Sequence, residues 1–221
     1  MNQEELLKEM HAAALAGEPA VVLELTSAGL EMGLGPETML FGALIPALEE
    51  AGARFERGDF YVPEMIVAGR AMAGALEVLR PLLAATGVEP VGTFVMGTVK
   101  GDVHDIGKNL VNIMLEGAGF QVVDLGVQVA PETFVEAVRE HNADVVGFSA
   151  FLTTTMPMFK ENIKALEKAG LREQVIVVVG GAPVTQDYAD VVGADAYASD
   201  ASGAVNRVRD LLARRHAATS A

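Results

Sequence analysis

One turn of this 221-residue chain carries the residue types that bind a transition metal. It contains Asp102 and His104, and it lies between an apolar run of β type at residues 93–99 and an amphipathic run at 106–115. A neutral imidazole is a good ligand for a transition metal, and a carboxylate that accepts a hydrogen bond from the other ring nitrogen fixes the tautomer and raises the basicity of the ligand. Because open parallel α/β sheets bind ligands at the carboxyl ends of their strands, this turn is a predicted ligand site.

The same turn also allows less specific interpretations. An isolated Asp-x-His pair is a short motif that can mark a surface histidine and a helix-capping aspartate. Gly107 follows in the first helical turn, where the missing Cβ leaves room for a bulky ligand. A P-loop is excluded, because it needs four residues between its glycines and a Ser or Thr after its lysine. Here five residues separate Gly101 from Gly107, and Asn109 follows Lys108.

The composition restricts the classes of partner and cofactor. The formal net charge of −14 argues against nucleic acid or an anionic membrane surface as a partner. There are no cysteines, which excludes disulfides, thiolate-bound zinc and iron–sulfur clusters on this chain. The N-terminal residues lack the pattern of a signal peptide, and the longest apolar stretch, around residues 175–184, is too short to span a bilayer. We therefore expect a cytoplasmic protein with no membrane partner.

The first 85 residues carry only helical periodicity. Apolar residues recur at helical spacing, and Pro36 and Pro63 open two of the helices at their first position. Four helices with short connections are typical of a small antiparallel bundle. The predicted helices span residues 4–15, 19–30, 36–57 with a bend at Pro46, and 63–79.

The pattern changes at residues 86–91, a short stretch with glycine and proline that we interpret as a linker. After it, apolar runs of strand length alternate with amphipathic runs, which predicts right-handed crossovers and a doubly wound sheet. The predicted fold class is α/β, with a four-helix bundle at 1–85 followed by a Rossmann-like (flavodoxin-like) five-stranded parallel sheet at 92–221. The predicted strands are 92–98, 120–125, 144–149, 174–179 and 195–198, and the predicted helices are 106–117, 132–141, 156–169, 185–191 and 200–214.

The string GDVHDIGKN at residues 101–109 resembles the cobalamin-binding signature of corrinoid proteins, in the form carried by methionine synthase and by the small corrinoid proteins of methyl-transfer systems. The resemblance covers nearly the whole chain, in the order bundle, linker, signature and sheet. It implies that His104 replaces the benzimidazole of cobalamin as the lower ligand of cobalt, and that Asp102 and Thr155 tune the proton on His104. The other signature residues implied to contact the cofactor are Gly101, Val103, Asp105, Ile106 and Gly107.

Further stretches add to this resemblance, although each also fits a plain turn, a helix cap or bundle core. Ser149 matches the serine of the family's Ser-x-Leu motif beside the nucleotide tail, Phe151 stands where leucine is usual, and Thr155 stands where methionine synthase has serine. The remaining residues implied near the tail are Thr153, Gly180, Gly181 and Ala201. In the bundle, which resembles the helical cap of the family, the residues implied to cover the upper face of the corrin are Phe55, Val62 and Met65.

The function implied by the resemblance is that of a corrinoid carrier subunit, which turns over nothing alone. Cobalt of cobalamin in the Co(I) state would accept a methyl group from a substrate-specific methyltransferase, and methylcobalamin would pass it on through an acceptor methyltransferase. The acceptor would be tetrahydrofolate or a thiol, and a reductive activase would restore Co(I). Methylamines, methanol, betaines and aryl methyl ethers all fit as donors, because donor choice belongs to the partner.

Three alternatives remain open at the level of sequence. A cobalamin-dependent sensor would also join a bundle to this domain, but such proteins usually carry a DNA-binding region. The cobalamin subunit of a mutase that uses adenosylcobalamin would not be expected to carry the bundle. A metal-binding α/β protein would use Asp102, His104 and Asp105 as its ligands.

Overall fold

The chain divides into two compact units in this computed structural model, which describes residues 1–86 and 90–219. One unit is formed by the chain up to Pro90 together with Glu116–Gly119, and the other by the remaining described residues from Val91 onward. Of the predicted linker, residues 87–89 lie outside the described residues. None of the helices in the described ranges combines the length and the hydrophobicity needed to cross a membrane.

The first unit is entirely helical. Its first helix has a capping box, in which the Asn2 side chain accepts from the Glu5 N–H and the Glu5 side chain accepts from the Asn2 N–H. The apolar stripe of this helix buries Leu6 and Met10 completely. The helices of this unit are α1 (Gln3–Ala16), α2 (Pro19–Glu31), α3 (Pro36–Met39), α4 (Ile45–Glu56) and α5 (Val62–Thr86), with a π-helical segment (Leu40–Leu44) between α3 and α4.

The third predicted helix differs from the expectation of one α-helix bent at Pro46. Its irregularity lies just before the proline, where the Ile45 N–H donates to the Leu40 carbonyl, five residues back. Pro46 has no N–H to continue the regular pattern of the α-helix, and a π turn is one way to accommodate the interruption. The single predicted helix is thus divided into α3, a π segment and α4, with the change of helix type just ahead of the proline.

The last helix of the bundle is longer than the predicted 63–79. It continues to Thr86 with Pro81 in its interior. An interior proline removes one backbone hydrogen bond of the helix. Leu79 and Leu83, on either side of Pro81, are both buried, and their burial favours continuation of the helix.

The second unit is the predicted five-stranded parallel sheet, and the fold class is confirmed. All its strands are parallel, in the order β2-β1-β3-β4-β5. This is the flavodoxin-like order, whose topological switch point lies between β1 and β3. The strands are β1 (Thr93–Thr98), β2 (Gln121–Asp124), β3 (Val145–Ser149), β4 (Ile176–Gly180) and β5 (Ala196–Ala198). The helices are α6 (Ile106–Gly117), α7 (Pro131–Glu140), α8 (Met158–Lys168), α9 (Gln186–Val192) and α10 (Ala201–Thr219), with a 3₁₀ turn at Arg172–Gln174.

The central strands are buried on both faces, which explains their continuous apolar sequence. On one face, the aromatic rings of Phe134, Phe148 and Phe159 pack between the sheet and helices α7 and α8. Val177 and Val179 of β4 belong to the same cluster and are fully buried. This core fixes the strands whose carboxyl ends carry the site.

Candidate functional site

Two loops meet at the switch point of the sheet. The first follows β1 and contains residues 99–105, and the second follows β3 and contains residues 150–157. β1 and β3 are paired neighbours, with Thr98 opposite Ser149. The Val99 N–H donates to the Ser149 carbonyl at 3.0 Å, which joins the starts of the two loops. The side chains on these loops therefore lie close together, as the position of the turn predicts.

The carboxylate of Asp102 is the centre of the site. Its Oδ2 accepts from the Phe151 N–H at 2.8 Å, the Leu152 N–H at 3.2 Å and the Thr155 hydroxyl at 2.7 Å. Its Oδ1 accepts from the His104 N–H at 3.1 Å and lies 2.7 Å from His104 Nδ1. The residue is only 1% exposed. Five groups from both loops thus converge on one buried carboxylate.

These contacts determine the ionisation of Asp102. Burial by itself raises the pKa of the carboxyl, since it disfavours the charged form. The hydrogen bonds from the Thr155 hydroxyl, the His104 and Phe151 N–H groups and the His104 ring outweigh burial, and the pKa lies well below its usual range. Asp102 is therefore an anion, and its Oδ1 can accept a hydrogen bond from a protonated Nδ1 of His104.

His104 presents its ring toward solvent. Because Nδ1 lies beside the Asp102 carboxylate, the ring carries its proton on Nδ1 when it is neutral, and Nε2 keeps its lone pair. The side chain is 45% exposed, and within the part of the chain that the structure describes Nε2 has no hydrogen-bond partner. The Thr98 hydroxyl donates to the His104 carbonyl at 2.9 Å and holds the backbone of the turn. This arrangement is that of a metal ligand with its supporting carboxylate.

Exposed apolar side chains accompany His104 on both loops and at the start of α6. Val103, Ile106, Phe151 and Leu152 are between 40% and 65% exposed. The ring of Phe151 stacks on the His104 imidazole, with 4.3 Å between the ring centroids and 23° between the planes. Apolar surface of this kind next to a metal ligand is suited to a large, largely apolar cofactor that covers it.

A row of small residues crosses four strands at the same edge of the sheet. Thr98, Ser149, Gly180 and Ala198 are register partners on β1, β3, β4 and β5, so their side chains share one face. None of the four has a side chain larger than threonine. Two of them, Ser149 and Gly180, are residues that the resemblance to corrinoid proteins assigns to the nucleotide tail.

Gly181, next to this row, is required by the local backbone. Its φ is +134°, and a Cβ at this position would overlap the carbonyl oxygen of Ala150. The Ala150 N–H donates to the Gly180 carbonyl at 3.2 Å, which keeps the ends of β3 and β4 in close approach. Only glycine fits both the dihedral angle and the space.

We expect Gly181→Ala to lower the free energy of unfolding of the sheet unit by about 3 kcal/mol, because backbone strain and a clash with backbone are combined. The matched control is Gly126→Ala, which shares a positive φ of +78° but has nothing within 4 Å of its added Cβ. This control should cost about 1 kcal/mol. Urea unfolding of both variants checks the prediction, and equal losses would show that the contact with Ala150 is unimportant.

The helix that follows the turn is fixed by a buried ammonium. Lys108 has a side chain that is 1% exposed, and its Nζ donates to both oxygens of Asp124 at 2.7 and 2.6 Å and to Asn109 Oδ1 at 2.6 Å. The Asn109 Nδ2 in turn donates to Asp105 at 3.1 Å. All three ammonium donors are used, so the cluster ties the first turn of α6 to the end of β2.

Lys108→Met should destabilise the sheet unit by about 2 kcal/mol, less than the loss typical of fully buried pairs, because Asp124 is 40% exposed and regains water. Lys164→Met is the matched control, since Lys164 pairs with Glu161 on an exposed helix face and should lose less than about 1 kcal/mol. Urea unfolding compares them. A loss no greater than that of the control would mean that the Lys108 cluster does not stabilise the turn.

The predicted site residues fall into several groups. Asp102, His104, Phe151 and Thr155 are in mutual contact, as described above. Thr153 is exposed in the second loop, whereas Ala201 is buried at the start of α10. The three predicted bundle residues belong to the first unit, where Met65 is fully buried and Phe55 and Val62 are half-buried.

Sequence reasoning missed several residues that shape the site. Lys108 belongs to the signature string, but no role was predicted for it, for Asp124 or for Thr98. Asp124 and Thr98 each end a strand at the ligand-binding edge, which is a signal that the sequence offered. The alternative of a simple metal site finds no support, because the described ranges hold no group of three His, Cys, Asp or Glu residues placed to share a metal ion.

The residues present fit a corrinoid. His104 offers Nε2 as a transition-metal ligand, with Asp102 behind it. A Cβ built at Gly107 meets nothing within 4 Å, so the start of α6 leaves open space beside the turn. His104 is the residue that would hold the metal of such a group, and the exposed apolar side chains around it are suited to a large apolar cofactor.

Comparison with known proteins agrees with this chemistry. A family model described as B12 binding domain matches residues 92–208, and a second model of the same description matches residues 6–80. The chain is 42% identical over 217 residues to dimethylamine corrinoid protein 1 of Methanosarcina acetivorans, covering 96% of this chain and 100% of that protein. It is 38% identical over 213 residues to trimethylamine corrinoid protein 1 of the same organism, covering 96% and 99%.

A solved structure shares the fold of both units. It is the methanol:cobalamin methyltransferase complex MtaBC from Methanosarcina barkeri, with a TM-score of 0.86 and 30% identity over 96% of this chain and 81% of that chain. The matched family models together span most of the sequence, and the curated relatives match over nearly their full length. The chain therefore belongs to the B12-binding corrinoid proteins, and its cofactor is a corrinoid.

Proposed function

We propose that the chain is the methyl carrier of a methyltransferase system that acts on methylated amines. The observation that carries the proposal is the Asp102–His104 pair, in which a buried carboxylate holds Nδ1 and the partly exposed imidazole lies among exposed apolar side chains. A residue that serves a carrier would have to bind the metal of the cofactor and release it. A histidine with a preserved hydrogen-bond partner keeps its place in both situations.

The residues of this chain would bind and orient the cofactor rather than react. The bound corrinoid supplies the cobalt centre that accepts and gives up the methyl group. His104 is the proposed lower ligand, and Asp102 holds the Nδ1 proton with support from the Thr155 hydroxyl and two backbone N–H groups. Ser149, Thr153, Gly180, Gly181 and Ala201 are proposed contacts of the tail, and Phe55, Val62 and Met65 stay predicted contacts of the upper face.

The names of the relatives support an amine as the methyl donor. The two curated relatives described above are named for dimethylamine and trimethylamine, and the solved complex is named for methanol. The identity is higher to the amine proteins than to the methanol complex. We therefore propose methylated amines as the donor class, with a substrate-specific methyltransferase as the first partner. A methyltransferase for tetrahydrofolate or a thiol, and a reductive activase, complete the proposed set.

The proposal is tested by methyl transfer to the reconstituted protein. The chain is loaded with hydroxocobalamin, reduced, and mixed in separate reactions with ¹³C-labelled dimethylamine, trimethylamine or methanol and the corresponding donor methyltransferase. We expect labelled methylcobalamin on the protein in an amine reaction. Methylation from methanol alone would overturn the donor class, and no methylation from any of the three, with cofactor fully bound, would overturn the carrier function.

A further inference from the structure

Phe151 contacts both members of the Asp102–His104 pair through different groups. Its N–H donates to Asp102 Oδ2 at 2.8 Å, while its ring lies almost parallel to the imidazole, with 4.3 Å between the centroids. The residue is 50% exposed, so the aromatic side chain is not held there by burial in a core. Its position is the one where the Ser-x-Leu motif would have leucine.

The hydrogen bond to Asp102 leaves one motion of the imidazole unrestricted. The contact at Nδ1 restrains the distance between Nδ1 and Oδ1, but a coupled rotation about the Cα–Cβ and Cβ–Cγ bonds can still change the plane of the ring. The side chain of His104 is 45% exposed, and this exposure leaves room for such tilting. A flat ring stacked against the imidazole restricts this motion, because a tilt would break the face-to-face contact.

We propose that Phe151 is a positioning residue that holds the plane of the His104 imidazole in the orientation in which Nε2 meets the cofactor. The inference rests on the proposed role of His104 as lower ligand. It adds that the imidazole of His104 is already oriented before the corrinoid binds. The orientation depends on the stack with the Phe151 ring, which a leucine side chain cannot form. Preorganisation of this kind strengthens binding because less conformational freedom is lost when the bond forms.

The expected effect follows from the strength of an aromatic stack. Replacing Phe151 by leucine keeps an apolar side chain and the N–H to Asp102 but removes the flat partner. Binding of the imidazole to Co(II) should weaken by roughly two- to tenfold. Since loss of the axial ligand disfavours Co(II) relative to Co(I), the midpoint potential of this one-electron couple should rise by about 20–60 mV.

The experiment uses the full chain as parent, Phe151→Leu and Phe151→Tyr, with Val191→Ala as a control for loss of an exposed apolar side chain elsewhere. In the cofactor-free protein, NMR of the His104 ring protons should show an upfield ring-current shift that is lost in Phe151→Leu and kept in Phe151→Tyr and Val191→Ala. In the cobalamin-loaded protein, the Co(II)/Co(I) potential should rise in Phe151→Leu alone.

The outcomes separate this inference from the proposed function. If the parent shows protein imidazole on Co(II) by EPR, but Phe151→Leu matches it in both ring-proton shifts and potential, the positioning role is overturned and the ligand role stands. If the parent His104 protons show no ring-current shift, the stack does not exist in solution and the inference is overturned without any variant. If the parent shows no protein imidazole on Co(II), the proposed ligand role of His104 fails and this inference fails with it, whereas the carrier function is tested separately by methyl transfer.

Discussion

Asp102→Asn should lower the free energy of unfolding of the sheet unit by about 3 kcal/mol at neutral pH, since hydrogen bonds to a buried charged group are among the strongest in proteins. The carboxylate accepts three hydrogen bonds at Oδ2 and two at Oδ1. An asparagine has an NH₂ group in place of one of the two carboxylate oxygens, and that group would face hydrogen-bond donors. The Phe151 and Leu152 N–H groups, or those of His104, would then lose their acceptor.

The loss should depend on pH in a defined direction. The pKa of Asp102 is depressed in the folded chain, from an ordinary value of 3.8. A depressed carboxyl contributes stability that is fully present above the pKa of the unfolded chain and is lost as pH falls toward the folded value. The asparagine variant lacks this contribution at every pH. The difference in stability between parent and variant should therefore narrow by about 1 kcal/mol between pH 6 and pH 3.

Urea unfolding followed by tyrosine fluorescence in a Tyr61→Phe background tests this prediction. The remaining tyrosines, Tyr188 and Tyr197, belong to the sheet unit, so the signal reports the unfolding of that unit. Asp105→Asn is the matched control, since Asp105 is exposed and its side chain accepts from Asn109 within the same turn. It should change stability by less than about 0.5 kcal/mol. A difference between parent and Asp102→Asn that stays constant from pH 6 to pH 3 would contradict the assigned ionisation of Asp102.

His104→Ala should have the largest effect on the cofactor and a small effect on the fold. The side chain is 45% exposed, so its removal should change the free energy of unfolding by about 1 kcal/mol or less. Corrinoid affinity should fall by at least about tenfold, because removing even a group that only hydrogen-bonds to a metal ligand lowers affinity by that much. Equilibrium dialysis with hydroxocobalamin measures the affinity, and urea unfolding measures the fold.

The matched control is His141→Ala, which removes a histidine between α7 and β3, at the opposite edge of the sheet from the site. It should bind hydroxocobalamin as the parent does. If His104→Ala also retained parental affinity, the cofactor would be held by the tail and the apolar surface alone. The imidazole of His104 would then contact the buried carboxylate without contributing to cofactor binding.

Local patterns were sufficient to predict the fold. Continuous apolar strands such as residues 175–179, alternating with amphipathic helices, determined the parallel sheet, and the turn after β1 therefore had to lie at its ligand-binding edge. The helices with an irregular backbone were harder to predict from the sequence. The π segment before Pro46 and the passage of α5 through Pro81 depend on tertiary burial, which overrides local preference.

The residue types of the site could be predicted, and the resemblance also implied the link between Thr155 and Asp102 that the structure shows, but other contacts could not be predicted. The pair of Asp102 and His104 followed from spacing. The stack of Phe151 on the imidazole depends instead on the distance between two loops that residues 106–149 separate. The same applies to Lys108, whose partner Asp124 lies on the neighbouring strand. Contacts between loops are set by the register of the sheet, and sequence periodicity does not report register across strands.

The most direct test of the central claim is the identity of the nitrogen bound to Co(II). The chain is reconstituted with cobalamin that carries ¹⁵N in its benzimidazole, reduced to Co(II), and studied by EPR. If His104 is the lower ligand, the superhyperfine splitting is the triplet of ¹⁴N from protein imidazole, and it disappears in His104→Ala. A doublet from ¹⁵N in the parent would show that the benzimidazole stays on cobalt and would contradict the role assigned to the Asp102–His104 pair.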